Sequence, residues 1–162
     1  MIGFSIAEPP RSAPYVFKGS FLGAPTRVSD FYLDFSTECR AETTIYNVMT
    51  AAGVSLKQVG AKYILAILTE VVNGCLTLVH AKDFYRIAER LFGVKAKTIE
   101  ISIMRALAAA GMDQLLKLNT ILGGIVVQPK DSIGAGEFLN NVATRLLMLK
   151  SHQSNRVYFA WN

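Results

Sequence analysis

Residues 95–105, KAKTIEISIMR, hold two lysines, a threonine, a glutamate and an arginine along one prospective helix. Those residue types at that spacing suit recognition of a polyanion rather than bond making or breaking. Lys95 and Lys97 would lie at the helix N-terminus, where ammonium groups meet phosphate and the helix dipole also attracts anions. Thr98, Glu100, Ile101 and Arg105 would reach base edges in a major groove. There an arginine pairs with guanine, a glutamate accepts from the cytosine amino group, and an apolar side chain touches the thymine methyl. Arg86 and Arg90 on the preceding stretch add cations for phosphate, and residues 82–105 together carry six basic and three acidic side chains. A solvated face is the plainer account of the same charges. Glu100 could instead pair with Lys97 or Arg105, and Ser102 could bond a phosphate or only its own helix.

Other chemistries find less support. The two histidines, His80 and His152, and the two cysteines, Cys39 and Cys75, show no metal-ligand spacing. His80 fits a cap or turn better than a ligand. GAGEF at 134–138 lacks the Lys-Ser/Thr ending of a phosphate loop, and LGGIVV reads as turn glycines before an apolar segment. The expectation is a protein that is not an enzyme, with no cofactor, no metal and no small-molecule substrate.

The elements that must position residues 95–105 can be read from capping and periodicity. Thr43 or Thr44 can cap a first helix that Gly53 ends near Ala52. Ser55 can cap a second that runs to about Val72 and stops at Asn73-Gly74. A third spans about 81–92 with its turn at Gly93, and a fourth spans about 97–110 and ends at Gly111. Ile99, Ile103, Ala106 and Ala110 form the buried stripe of that fourth helix. Lys97, Ile101, Met104, Arg105 and Ala108 form its opposite face. A short helix over 113–119, a loop through the glycines and Pro129, and a last helix over 136–150 complete the body. The pair 81–92 and 97–110 has the form of a helix-turn-helix, with Ala88 small where the two helices cross.

The chain has 162 residues, 51% of them hydrophobic and 18% charged, which suits a globular domain. Its most apolar stretch, residues 63–79, is only 17 residues long and includes Glu70, Asn73 and Gly74, so a buried helix fits better than a membrane span. The N-terminus lacks the basic and apolar regions of a secretory signal, and a cytoplasmic location with reduced cysteines is expected. Residues 1–42 hold four of the five prolines and seven of the sixteen aromatics, with a charge balance of −1. The other residues carry 13 basic and 7 acidic side chains, a moderately basic body that suits a partner with condensed counterions. Alternation at Tyr15/Phe17, Phe31/Leu33/Phe35 and Val157/Phe159/Trp161 predicts short extended additions at both ends, pairing in a small sheet or in a dimer contact. The expected organisation is an N-terminal extension over 1–42, a helical domain over 43–150 and a C-terminal extension over 151–162.

Taken in order, TIYNVMTAAGVSLKQVGAKYILAILTEVVN, IAERL, TIEISIMRAL and QPKDSIGAGEFLNNVATRLL resemble the C-terminal DNA-binding effector domain of the stage-zero sporulation response regulator of Firmicutes. The likeness runs from about Thr44 to Lys150. It implies a mainly α, six-helix domain that binds promoter DNA, usually at tandem or paired sites, through this helix-turn-helix. Three features depart from the family. The 42 residues upstream are too few for a phosphoacceptor receiver, so a form without one is expected. The turn LFGVKAK is one residue longer. Glu100 is retained, but Ile101 and Met104 stand where the family has arginines, and Arg105 follows one position later.

Two expectations result. The first is a transcriptional regulator that grips double-stranded DNA with Arg86, Arg90, Lys95 and Lys97 and reads it with Thr98, Glu100, Ile101 and Arg105. The alternative is a protein–protein interaction or homodimerisation module on the same fold, with Ile101 and Met104 in the contact. An outward Ile/Met pair is more common at a protein interface than on a DNA-reading face.

Overall fold

The computed structural model describes residues 33–74 and 81–161, with side-chain surroundings for 33–74 and 82–152. The extended pairs Tyr15/Phe17 and Phe31/Leu33/Phe35 fall mostly outside these residues, as do Cys75 and His80. The described chain is mainly α and contains no strand.

Helix α1 (Glu38–Ala51) begins earlier than its cap grammar suggested. Thr37 is the N-cap, its Oγ1 accepting from the Arg40 N–H at 3.1 Å, and Glu38 complements the dipole in the first turn. Thr43 and Thr44 lie inside the helix. Thr43 Oγ1 donates to the Cys39 carbonyl at 3.1 Å. Thr44 is buried, and its hydroxyl accepts from the Asp34 N–H and donates to the Asp34 carbonyl. Those two bonds hold the strap 33–36 against α1. Asp34 closes the strap: its carboxylate accepts from the Ser36 hydroxyl at 2.6 Å, the Ser36 N–H at 2.9 Å and the Arg40 guanidinium at 2.9 Å.

Helix α2 (Val59–Val72), by contrast, starts later than expected. Ser55 is not its cap but the head of a turn, accepting from the Lys57 N–H at 3.2 Å, and Gln58 precedes the helix without a side-chain cap. Helix α3 (Ala81–Phe92) and helix α4 (Ala96–Ala110) lie where periodicity places them, within a residue. The expected single helix over 113–119 is two pieces, α5 (Met112–Leu115) and α6 (Lys117–Leu122), separated by Leu116 alone. Counting that broken pair as one unit, the described residues form six helical units. Helix α7 (Ala135–Trp161) is 27 residues long, so the predicted extended segment at Val157, Phe159 and Trp161 is helical instead. The alternation there is too short to override a helix already propagating from the body, since each further residue adds a hydrogen bond at little nucleation cost.

α2 is the central element. It packs against α1, α3, α4 and α7, and its Ile64, Ile67 and Leu68 are fully buried with Phe84 and Ile87 of α3, Ile99 and Ile103 of α4, and Phe138 and Leu139 of α7. α2 and α4 approach closely at Gly60, in the first turn of α2. A Cβ there would fall 2.7 Å from the Ile103 nitrogen and closer still to the Ser102 carbonyl oxygen. Only a residue with no side chain lets α2 lie on the α4 backbone.

Two cations of α7 finish other helices. Arg145 donates to the Leu122 and Gly123 carbonyls at the end of α6, at 2.6 and 2.8 Å, and Lys150 donates to the Val72 carbonyl at the end of α2. Each meets a carbonyl that helix geometry leaves without a partner, at the negative pole of the dipole. Asn119 organises the loop that follows, accepting from the Val126 and Val127 N–H groups and donating to the Val127 carbonyl at 2.7 Å.

Gly60→Ala should destabilise the fold by at least the about 1–3 kcal/mol of ordinary overpacking, because the obstruction is backbone rather than a movable side chain. Chemical denaturation measures it, and an unchanged midpoint would refute the close crossing. The strap gives a pH signature. Burial pushes the Asp34 carboxyl up, but the Ser36 hydroxyl and amide and the Arg40 guanidinium more than offset it and hold it below the ordinary value of 3.8. A lowered folded value means the stabilisation is complete above 3.8 and disappears as the pH falls through the folded value. Asp34→Asn should therefore be less stable than the parent at pH near 7, with the gap narrowing in acid.

Candidate nucleic-acid interface

The residues singled out between 82 and 105 lie on α3, α4 and the three-residue turn Gly93, Val94 and Lys95 that joins them. The turn is built from both ends. Gly93 has φ of +67°, a left-handed conformation that a side chain would strain, and its N–H donates to the Glu89 carbonyl at 2.8 Å. Phe92, just before it, meets Tyr63 of α2 edge to face with ring centroids 5.0 Å apart, which ties the turn to the central helix. Lys95 holds the N-cap position of α4 in extended backbone, but its side chain caps nothing. The cap comes across the turn: the Ala96 N–H donates to the Glu89 carboxylate at 3.0 Å. One helical turn earlier on the same side of α3, Tyr85 lies against α4. Burial, and then the charge of Glu100, raise its phenol above the ordinary value of 10.0.

With Ile99, Ile103, Ala106 and Leu107 buried, the opposite side of α4 is left open. Lys97, Thr98, Ile101, Met104, Arg105 and Ala108 are all exposed there, as the helical projection requires. Ile101 is 38% and Met104 42% exposed, values that mark an uncovered surface rather than the edge of the core. Ser102 is half-buried, because its carbonyl lies against Gly60.

The charged residues divide. Lys97 pairs with Glu100 at 3.5 Å, so the glutamate faces a lysine of its own helix, with Tyr85 nearby. Arg86 pairs loosely with Asp83 at 3.8 Å and stays largely exposed. Arg90 reaches Glu70 of α2 at 3.4 Å and so is directed toward α2 rather than to the open side of α4. Among the described residues Lys95 and Arg105 are exposed without an ion pair. The structure thus brings Lys97, Thr98, Ile101, Met104 and Arg105 onto one exposed side of α4, with Lys95 exposed at its N-cap, leaves Arg86 exposed on α3, and takes Arg90 into an interhelical bridge.

Glu89, Tyr85 and Phe92 are members of this unit that pattern reading did not single out. One signal was present for Glu89. A lysine where an N-cap belongs is a poor cap, so the first turn of α4 has to find its acceptor elsewhere. The partner's identity depends on how two helices approach, which no local rule supplies.

Elsewhere the chemistry is sparse. Among the described residues no group of three or more His, Cys, Asp or Glu side chains could hold a metal ion, and Cys39 is exposed as a free thiol. A groove between α1 and the turn before α2, lined by Tyr46, Thr50, Val54 and Leu56, holds no carboxylate or imidazole. No helix among the described residues is long and apolar enough to cross a membrane. Comparison with protein-family models, curated proteins and solved structures finds no match for this chain.

The two faces of α4 give a direct test. Ile103→Ala should cost about 2–5 kcal/mol, as for other buried aliphatic truncations. Ile101→Asp, at an exposed site, should change stability by no more than about 0.5 kcal/mol. Thermal unfolding of the two variants should separate them clearly, and equal losses would contradict the assignment of faces.

Proposed function

We propose that this protein is a DNA-binding transcriptional regulator that presents α4 to the major groove, braced by α3, in the manner of the sporulation-regulator effector domain its motifs resemble. One observation carries the reading. Among the described residues, Lys97, Thr98, Ile101, Met104 and Arg105 form an exposed side of α4, while the other side is anchored in the core. Lys95 and Lys97 supply phosphate contacts at one end of that surface and Arg86 supplies another from α3, whereas Arg90 contributes only by leaving Glu70. Arg105 is the principal base-reading group, with Thr98 and Ile101 beside it and Glu100 available once Lys97 turns to a phosphate. Activity inside the cell, on chromosomal promoters, follows from the same reading, as does the absence of a catalytic reaction.

A second reading rests on a specific observation. Ile101 and Met104, three residues apart on one helix face, are both uncovered where arginines would serve DNA better. On that reading the same surface forms a protein contact, including a homodimer.

Selection from random duplex oligonucleotides distinguishes the two. A reader of DNA should enrich one motif, and Arg105→Ala should relax preference at one base pair by about 1–3 kcal/mol. Lys95→Ala should weaken binding to every duplex alike and reduce the slope of log K against log salt by about 1. Enrichment of no motif, with Ile101→Asp converting a dimer into a monomer by light scattering, would establish the second reading instead.

A further inference from the structure

The N-terminus of α4 is already occupied by an internal anion. We propose that Glu89 is the positioning residue of the DNA-reading helix, fixing the angle at which α4 leaves α3; the inference rests on the DNA-reading function proposed above. Three observations converge on Glu89. Its carbonyl accepts from Gly93, the first residue of the turn, and its carboxylate accepts from Ala96, the first residue of α4. One side chain and its own backbone therefore bracket the entire turn. Lys95 occupies the N-cap position without a bond from its side chain, so among the described residues the cap falls to Glu89. A Cβ at Gly93 would meet no atom within 4 Å, so the glycine serves the left-handed backbone of the turn rather than a close approach. Phe92 on Tyr63 anchors the end of α3, and Glu89 carries that anchorage across to α4.

The arrangement has a consequence for recognition. In many DNA readers the first amides of the recognition helix are left for a backbone phosphate. Here Ala96 donates inward, so register on the duplex depends on lysine side chains, and the attitude of α4 depends on the carboxylate of α3. A base contact needs its donor held to well under an ångström, so a loosened hairpin loses discrimination before it loses affinity. Glutamine offers the same acceptor at the same reach without the charge, whereas alanine offers none.

The test compares Glu89→Gln and Glu89→Ala with the parent, each fully folded at the assay temperature. Binding is measured to the selected duplex and to a scrambled one, over a range of salt. Glu89→Ala should lower the ratio of specific to scrambled affinity on the order of tenfold, the loss of one aligned base contact. Glu89→Gln should keep the ratio near the parent's while binding both duplexes slightly more tightly, since a negative charge has left the interface. Amide exchange at Ala96 should quicken in the alanine variant only. A parent that selects a motif, with an unchanged ratio in Glu89→Ala, overturns the role of Glu89 and leaves the DNA-reading function standing. A parent that selects no motif overturns that function itself, and the role assigned to Glu89 in reading falls with it.

Discussion

The contact on which the rest of this structure depends is the backbone-to-backbone crossing of α2 and α4 at Gly60. With no side chain at that position, α2 lies directly on the Ser102–Ile103 peptide, and a Cβ would collide with it. The crossing determines which residues of α4 are interior. Ile99, Ile103 and Ala106 turn toward α2, Leu107 follows them into the core, and the face from Lys97 to Arg105 is left outward. It also brings Tyr63, almost one turn further along α2, under Phe92 at the end of α3. The candidate recognition unit is therefore not a free-standing helical hairpin. Both of its arms are seated on one central helix, and the open surface of α4 is a by-product of how tightly the other side is held.

The second organising feature is the use made of charge. The sequence is basic, but several cations are engaged in bonds within the protein. Arg145 and Lys150 finish α6 and α2, Lys130 holds Glu137 at 2.8 Å, Arg40 completes the Asp34 strap, and Arg90 bridges to Glu70. What remains outward around α4 is a small set centred on Lys95, Lys97 and Arg105. Exposed pairs such as Lys97 with Glu100 contribute little to stability and exchange readily, so they leave the lysine available to a stronger anion. A polyanion would thus meet a compact cationic rim around an apolar centre at Ile101 and Met104. That composition differs from a uniformly basic groove.

Much of the framework was legible from residues alone. The stripe Ile99, Ile103 and Ala106 identified the buried side of α4 by its spacing, and Gly93 and Gly111 marked the ends of α3 and α4. Starts were harder than stops. Thr37, Thr43 and Thr44 all satisfy cap chemistry locally, and the choice of Thr37 rests on a buried bond between Thr44 and a strap ten residues away. At the other end, Val157, Phe159 and Trp161 alternate like a strand but continue α7, because a helix once nucleated extends cheaply.

The sequence by itself determined the class of fold, the pairing of α3 with α4, and the membership of the outward face of α4, because a 3.6-residue period assigns every side chain of a helix to a side. It could not determine which charges are free. Arg86, Arg90, Lys95 and Lys97 are equivalent as letters, yet one faces α2, two hold weak partners on their own helices, and one is unpaired. Nor could it assign Glu89 to the first amide of α4. Both outcomes depend on distances between helices, which arise from close packing at Gly60 and from the aromatic contact at Phe92, and only the tertiary structure decided those.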